Sequence, residues 1–458
     1  KTEFIVHARA GVTKYCIKKK ADPQAPTYAK WPREFWVQSL KSKTLSGPGL
    51  PSMTWKYGYA SWPSWAPCNG CSATKTVDVT DARGHVTRYL FGTLFESNEG
   101  QLLQQLHGWN GSTALRTTAY SYNPPEGAAY PEPIGSNPLE VADHLASRHR
   151  PQRQRIVTQQ GVNFTWLANS FDNFARPLSV TRSSGLGQSR TDSTAYYDHF
   201  GKWMLGQIAS VTESSTGAAS EARTFNLTTA VPATFSSFGQ LKASYAFNTD
   251  GTLYTVKDGA NQTTTYTNYK RGLAQNIAYA NSTSESAQVN DLGLITSLTN
   301  AAGYTTGYGY DAMGRLNGIS PPSVAYHPTS IVFEPVGNDE YGLAAGHWRQ
   351  TLSRGNTRTI SYFDALWRPT MTRTFDAADE GNTRKVMVRA FDPDNRVAYE
   401  SYPQRDIASV SSTPAGRRYH FDALGRGNRS DADSELGTLT TTTDYLAGFQ
   451  TRTTNPRG

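Results

Sequence analysis

Short runs of alternating apolar and polar residues, each closed by a turn-forming cluster, recur along most of this chain. Thr76-Val77-Asp78-Val79-Thr80 leads into Asp81-Ala82-Arg83-Gly84, and His85-Val86-Thr87-Arg88-Tyr89 follows. Asp is suited to open such a turn and Gly to close it at positive φ, so the segment predicts a β-hairpin. Gly251, Gly272, Gly293 and Gly314 are spaced by 21 residues each. Within that period Leu294–Thr299 predicts a strand and Asn300-Ala301-Ala302-Gly303 a turn. Tyr304, Thr306, Tyr308 and Tyr310 then share one face of the returning strand. One unit is two strands of about six residues, marginal alone and stable when stacked.

Helical signal is scarce. Asn137 can cap, Pro138 suits the first helical position and Glu140 completes a capping box, predicting a short helix near 138–147. Arg148, Arg150, Arg153 and Arg155 follow in eight positions and read as a solvated basic loop, 148–155.

A second pattern crosses the first. Phe171-Asp172-Asn173-Phe174-Ala175-Arg176 has the form aromatic-Asp-x-x-small-Arg. Tyr197-Asp198-His199-Phe200-Gly201-Lys202 and Tyr310-Asp311-Ala312-Met313-Gly314-Arg315 repeat it. Phe363-Asp364-Ala365-Leu366-Trp367-Arg368, Phe391-Asp392-Pro393-Asp394-Asn395-Arg396 and Phe421-Asp422-Ala423-Leu424-Gly425-Arg426 complete six copies. Each places an acid four residues before a base. The physics is structural: Asp accepts backbone N–H groups of its own turn, and Gly or Asn tolerates the left-handed conformation. Ala175 and Trp367 fit that last role poorly. The base can pair with an Asp of its own or a neighbouring turn. Neither calcium binding nor carboxylate catalysis is expected, since each turn offers one carboxylate and nothing selects a pair.

Composition narrows the class. Of 458 residues 12% are aromatic, too many for a disordered chain, and 18% are charged, against a usual figure of about 25%. The +8 balance is therefore spread thinly and is no nucleic-acid signature. No apolar run of about 18 residues is present, so no span crosses a membrane. No nucleotide-binding, zinc-protease or hydrolase signature stands in a fitting context, and no cofactor is expected.

Cys68 and Cys71 form a CxxC after the Trp/Tyr/Pro-rich stretch 55–67, and Cys16 is the third thiol. A local Cys68–Cys71 disulfide is the reading; a metal site with a distant His and a redox pair are the alternatives. The stretch 55–67 itself reads as an end plug or a partner anchor, with a sugar-binding aromatic platform as the alternative. The nine His are scattered, and Asn-x-Ser/Thr occurs at Asn110, Asn163, Asn226, Asn261, Asn281 and Asn428, which matters only in a glycosylating host.

The six motifs, with Thr299–Gly303, Thr80–Gly84 and Arg354–Asp364 between strands, resemble the YD repeats of the rearrangement-hotspot (RHS) family. The resemblance covers residues 165–458 well and 70–165 loosely. It implies a long β-sheet wound in a spiral into a hollow shell, which encloses a C-terminal toxic domain in bacterial members. Similar shells occur in insecticidal toxin complexes and in teneurins. The family's closing segment with its aspartyl self-cleavage site is not visible here. Gaps of 53 residues from Gly314 to Trp367 and 30 from Asn395 to Gly425 break the period and suggest loops.

The expected fold is thus an all-β array of repeated hairpins forming a spiralled shell, a fragment of a larger protein. It would comprise an irregular region 1–75, a β-rich region 76–165 and the repeat array 166–458, continuing beyond residue 458. The expected role is non-enzymatic and structural, secreted or at a bacterial cell surface. Its partners would be a passenger toxin domain or other segments of the same polypeptide, with secretion machinery or cell-surface glycans as further candidates. An adhesion or carbohydrate-binding protein is the alternative, and a β-solenoid polysaccharide hydrolase a third.

Overall fold

The computed structural model describes residues 2–10, 34–60, 72–93, 98, 100–123 and 151–457. These form 32 strands in one sheet, and every strand pairs antiparallel with the next in sequence. Thr and Tyr suit this pleated, half-buried surface, and turn clusters punctuate it often enough to keep all but two strands, Glu34–Gly47 and Ser189–His199, to ten residues or fewer. The strands around the 21-residue period are Leu253–Asp258, Thr263–Lys270, Leu273–Ala278, Ser284–Val289, Ile295–Thr299 and Thr305–Tyr310.

Two expectations change. The described part of 1–75, expected to be irregular, contains strands Thr2–Ala10, Glu34–Gly47 and Leu50–Tyr59. Ser42-Lys43-Thr44 pair across the sheet without apolar alternation, so the sequence pattern hides them. The expected basic loop 148–155 is strand from Gln152 onward, where Arg153 and Arg155 alternate with polar neighbours. The expected helix near 138–147 lies outside the described residues, as do Cys16, Cys68 and Cys71. Pairing runs unbroken through residues 75 and 165.

A meander has two edges, and its hairpin turns alternate between them. All six acidic motifs fall on the same edge, because each follows an odd-numbered strand. We call it the motif edge. Gly251, Gly272, Gly293 and Gly314 lie there too, one per two strands.

The two edges meet. The Ala365 N–H donates to the Pro48 carbonyl at 3.0 Å. Arg83 Nη2 donates to Asp394 Oδ2 at 2.8 Å. A Cβ placed on Gly108 would lie 3.1 Å from Ala423 Cβ. Gly448 N–H donates to the Gln160 carbonyl at 2.9 Å, and Gln160 Nε2 returns a bond to the Leu446 carbonyl at 2.9 Å. In all four places the partners are turns twenty-three strands apart, one on each edge. An odd offset is what a spiral requires: the motif edge of the later lap rests on the opposite edge of the earlier lap. At about 4.8 Å per strand, one lap is roughly 110 Å round and about 35 Å across at the backbone.

The seam also explains exposure. The residue two after the turn-opening Asp or Asn is 78% exposed at Leu292 and 79% at Met313, but Leu366 and Leu424, on the later lap, are half-buried.

A single sheet has little core, and the described one is small. Tyr362, Met371 and Val388 are direct neighbours across three strands. Leu343, from the segment between Pro335 and Trp348, and Val386 and Tyr399 complete the cluster, with Ile407 and Val410 packed against it. The two longer gaps in the period are thus the segments 336–347 and 402–415, which fold over the sheet. Gly49 sits here as well: a Cβ would lie 2.5 Å from Leu343 Cδ2, so the seam and the core coincide.

Candidate functional site

The motif turns share one backbone. At Asp172 the carbonyl accepts the Ala175 N–H at 3.0 Å, and the Asp172 N–H donates to the Arg176 carbonyl at 3.0 Å. This is a three-residue hairpin loop whose last residue must be left-handed. That residue is Ala175 at φ 59°, Gly314 at 76°, Trp367 at 62°, Asn395 at 64° and Gly425 at 80°. Ala175 and Trp367, poor candidates by sequence, adopt it regardless, because the surrounding ladder bonds fix the chain on both sides.

The carboxylate completes the turn. Asp172 Oδ1 accepts the N–H groups of Phe174 and Arg176, both at 2.9 Å, and Oδ2 accepts Arg176 Nε at 2.6 Å. The same three bonds recur at Asp311 with Met313 and Arg315, and at Asp364 with Leu366 and Arg368. Asp392 with Asp394 and Arg396, and Asp422 with Leu424 and Arg426, repeat them. Hydrogen bonds from Arg315 hold the Asp311 carboxyl below its usual range.

The second motif departs from the pattern. Phe200–Lys202 form a single 3₁₀ turn, and the left-handed residue is Trp203 at φ 53°. Lys202 does not pair with Asp198; its N–H donates to His199 Nδ1 at 3.1 Å. Asp198 is held instead by Arg176, through two bonds of 2.8 and 2.7 Å, and by the Gly206 N–H at 2.7 Å. The extra residues before Met204 push Lys202 out of reach.

No local spacing signals what each arginine does next. Its guanidinium lies over an aromatic ring of a following hairpin. Arg176 is 4.3 Å from Tyr196, Arg315 4.9 Å from Phe333 and Arg368 5.0 Å from Phe391. Arg396 is 4.3 Å from Phe421 and Arg426 4.0 Å from Tyr445. Such a contact is worth about 0.5–2 kcal/mol. Arg368 also donates to the Asp392 carbonyl at 3.1 Å. At Arg368 and Arg396 the platform is the aromatic residue of the next motif, Phe391 and Phe421, and along the edge each arginine staples its own turn to a following hairpin. Tyrosines finish the edge: Tyr310 Oη donates to the Ile295 carbonyl at 2.7 Å and Tyr445 Oη to that of Gly427 at 2.8 Å.

This edge is held together by its own acids and bases and leaves no free carboxylate pair in the motifs. Among the described residues no cluster of three His, Cys, Asp or Glu side chains could hold a metal ion. No described helix is long and apolar enough to cross a membrane.

Together these features define a protein class: a one-layer antiparallel hairpin repeat, stapled along one edge and wound so that its edges meet. Residues 289–323 match the model of the RHS Repeat family. The chain carries an RHS repeat, at the segment where the 21-residue period is clearest. Among solved structures it is similar to the Photorhabdus luminescens Tc holotoxin pore, at 11% identity and a TM-score of 0.38, over 84% of this chain and 20% of that one. It is also similar to TcdB2-TccC3-Cdc42, at 9% identity and a TM-score of 0.31, over 88% and 24% of the two chains. A TcdB2-TccC3 structure gives 10%, 0.31, 89% and 24%. The chain spans about a fifth to a quarter of the length of these structures. No curated protein matches it significantly.

Proposed function

We propose that this chain is a section of a non-enzymatic shell wall that encloses or displays a passenger, either a toxin domain or another segment of the same polypeptide. The observation that carries the reading is the seam at Pro48–Ala365, Arg83–Asp394, Gly108–Ala423 and Gln160–Gly448. A sheet whose turn edges meet after twenty-three strands surrounds a space. With side chains reaching about 5 Å inward from each wall, the space is roughly 25 Å across. A compact 100-residue domain, of radius of gyration about 13 Å, would not fit inside one such lap without loosening. The passenger is thus held incompletely folded. The wall belongs outside the cytoplasm, secreted or at the cell surface, where a confined passenger needs protection until release.

Electron microscopy of the full-length polypeptide tests this. A closed wall with density inside is the expected result. An open sheet, or a wall with no enclosed space, overturns it.

A further inference from the structure

One face of the strands beside the seam carries a row that the shell reading does not use. Tyr120 is the cross-strand partner of Arg155, Arg155 of Trp166, Trp166 of Arg182, and Arg182 of Arg190. Direct partners share a face, so the five side chains stand side by side over about 19 Å. The four from Arg155 to Arg190 line a cavity of about 380 Å³, together with Val157 and Phe164. Phe449 of the later lap packs edge-on against Phe164 at 5.1 Å, so the winding brings the later lap against one lining residue of the groove.

The charge is unbalanced. Arg182 Nη1 and Arg190 Nε both bond to Asp192, at 2.8 and 2.6 Å, while more than half of each side chain stays exposed. Arg155 is exposed and forms no ion pair with a described residue. Among the described residues, three guanidinium groups thus stand with one bonded carboxylate, Asp192, around a half-buried indole. Guanidinium forks match carboxylates and sulfates in two-point geometry, and an indole face takes the apolar side of a sugar ring. A neutral sugar would leave the arginines unanswered. A nucleic-acid strand wants successive bases stacked, whereas Tyr120 and Trp166 are two strands, about 10 Å, apart.

We propose that the row Arg155–Trp166–Arg182–Arg190 binds an acidic oligosaccharide, one whose rings carry carboxylates. Trp166 stacks a ring, Arg155 takes one carboxylate, and the Arg182–Arg190 pair takes the next. The proposal stands apart from the enclosure reading and survives its failure.

Calorimetric titration of the chain with hexagalacturonate, maltohexaose and a ten-nucleotide thymidine strand tests it. Hexagalacturonate is expected to bind, at least tenfold more weakly at 500 mM than at 50 mM salt. Trp166→Ala and Arg155→Gln are each expected to weaken it tenfold or more. Arg155→Gln removes no ion pair among the described residues, so its unfolding midpoint should match the parent and separate binding from folding. Absence of hexagalacturonate binding overturns the proposal. So does equal binding of maltohexaose, tighter binding of the thymidine strand, or unchanged binding by both variants.

Discussion

Arg176 holds Asp198 through two parallel bonds, Nη1 to Oδ1 at 2.8 Å and Nη2 to Oδ2 at 2.7 Å, while its Nε stays on Asp172. One guanidinium thereby closes its own turn and fixes the next one. The hydrogen bonds from Arg176 are the main reason the Asp198 carboxyl sits below its usual range. A lysine cannot form this fork. Arg176→Lys should destabilise the chain by about 1–3 kcal/mol, and Arg176→Ala by at least as much. Urea unfolding midpoints measure both, and a lysine variant as stable as the parent would remove the staple from the account.

The left-handed residue offers a test with opposite signs at two copies of one motif. Ala175 holds φ 59° with a Cβ, and Gly425 holds φ 80° without one. Ala175→Gly should stabilise by about 1 kcal/mol, since the left-handed conformation costs an L-residue roughly 1–2 kcal/mol. Gly425→Ala should destabilise by that amount or more, because the new Cβ would lie 2.4 Å from Arg396 Nη1. Thermal unfolding of the two variants reads the difference, and shifts of the same sign would contradict it.

The hairpins and their turns were legible because Asp, Gly and the aromatic recur at fixed positions and each acts within its own turn. Asp311 shows this well: every group it bonds lies within four residues. The Lys202 assignment went astray because spacing alone cannot register an inserted 3₁₀ turn. The strand at Ser42–Thr44 was hidden since a one-layer sheet needs no apolar alternation. The seam was invisible for a different reason. Pro48 and Ala365, or Arg83 and Asp394, are more than 300 residues apart, and their meeting depends on the accumulated twist of twenty-three strands. No local signal encodes such a sum.

Asp431 ties acid sensitivity to a named site. Burial pushes its carboxyl up, but hydrogen bonds from Arg429, Thr440 and His420 outweigh this and hold it at about 2. A folded-state value below the unfolded one, about 3.9, gives stability that is complete above that pH. It is lost as pH falls from about 4 toward 2. Asp431→Asn removes the titrating group. The drop in unfolding midpoint between pH 6 and pH 3 should therefore be smaller in the variant than in the parent, and an equal drop would assign the acid response elsewhere.

The winding itself can be broken at one residue. Gly47 stands so close to the later lap that a Cβ would lie 2.3 Å from Ala365 Cβ. Its neighbour Pro48 accepts the Ala365 N–H, one of the bonds that join the laps. Gly47→Val adds bulk at that point, yet a β-branched residue suits the end of the strand Glu34–Gly47. The hairpins should persist while the laps separate. Hydrogen exchange with site resolution should then show faster exchange at the Ala365 amide and also at Gly448, the seam donor to Gln160. Ladder amides such as those of Thr265 and Ser297 should keep their protection. Gly427→Ala, where an added Cβ meets nothing within 4 Å, is the matched control. If Gly47→Val leaves both seam amides protected, the edges are not held by this contact. If it strips protection from the whole sheet, the hairpins depend on winding for their stability and do not form the wall lap by lap.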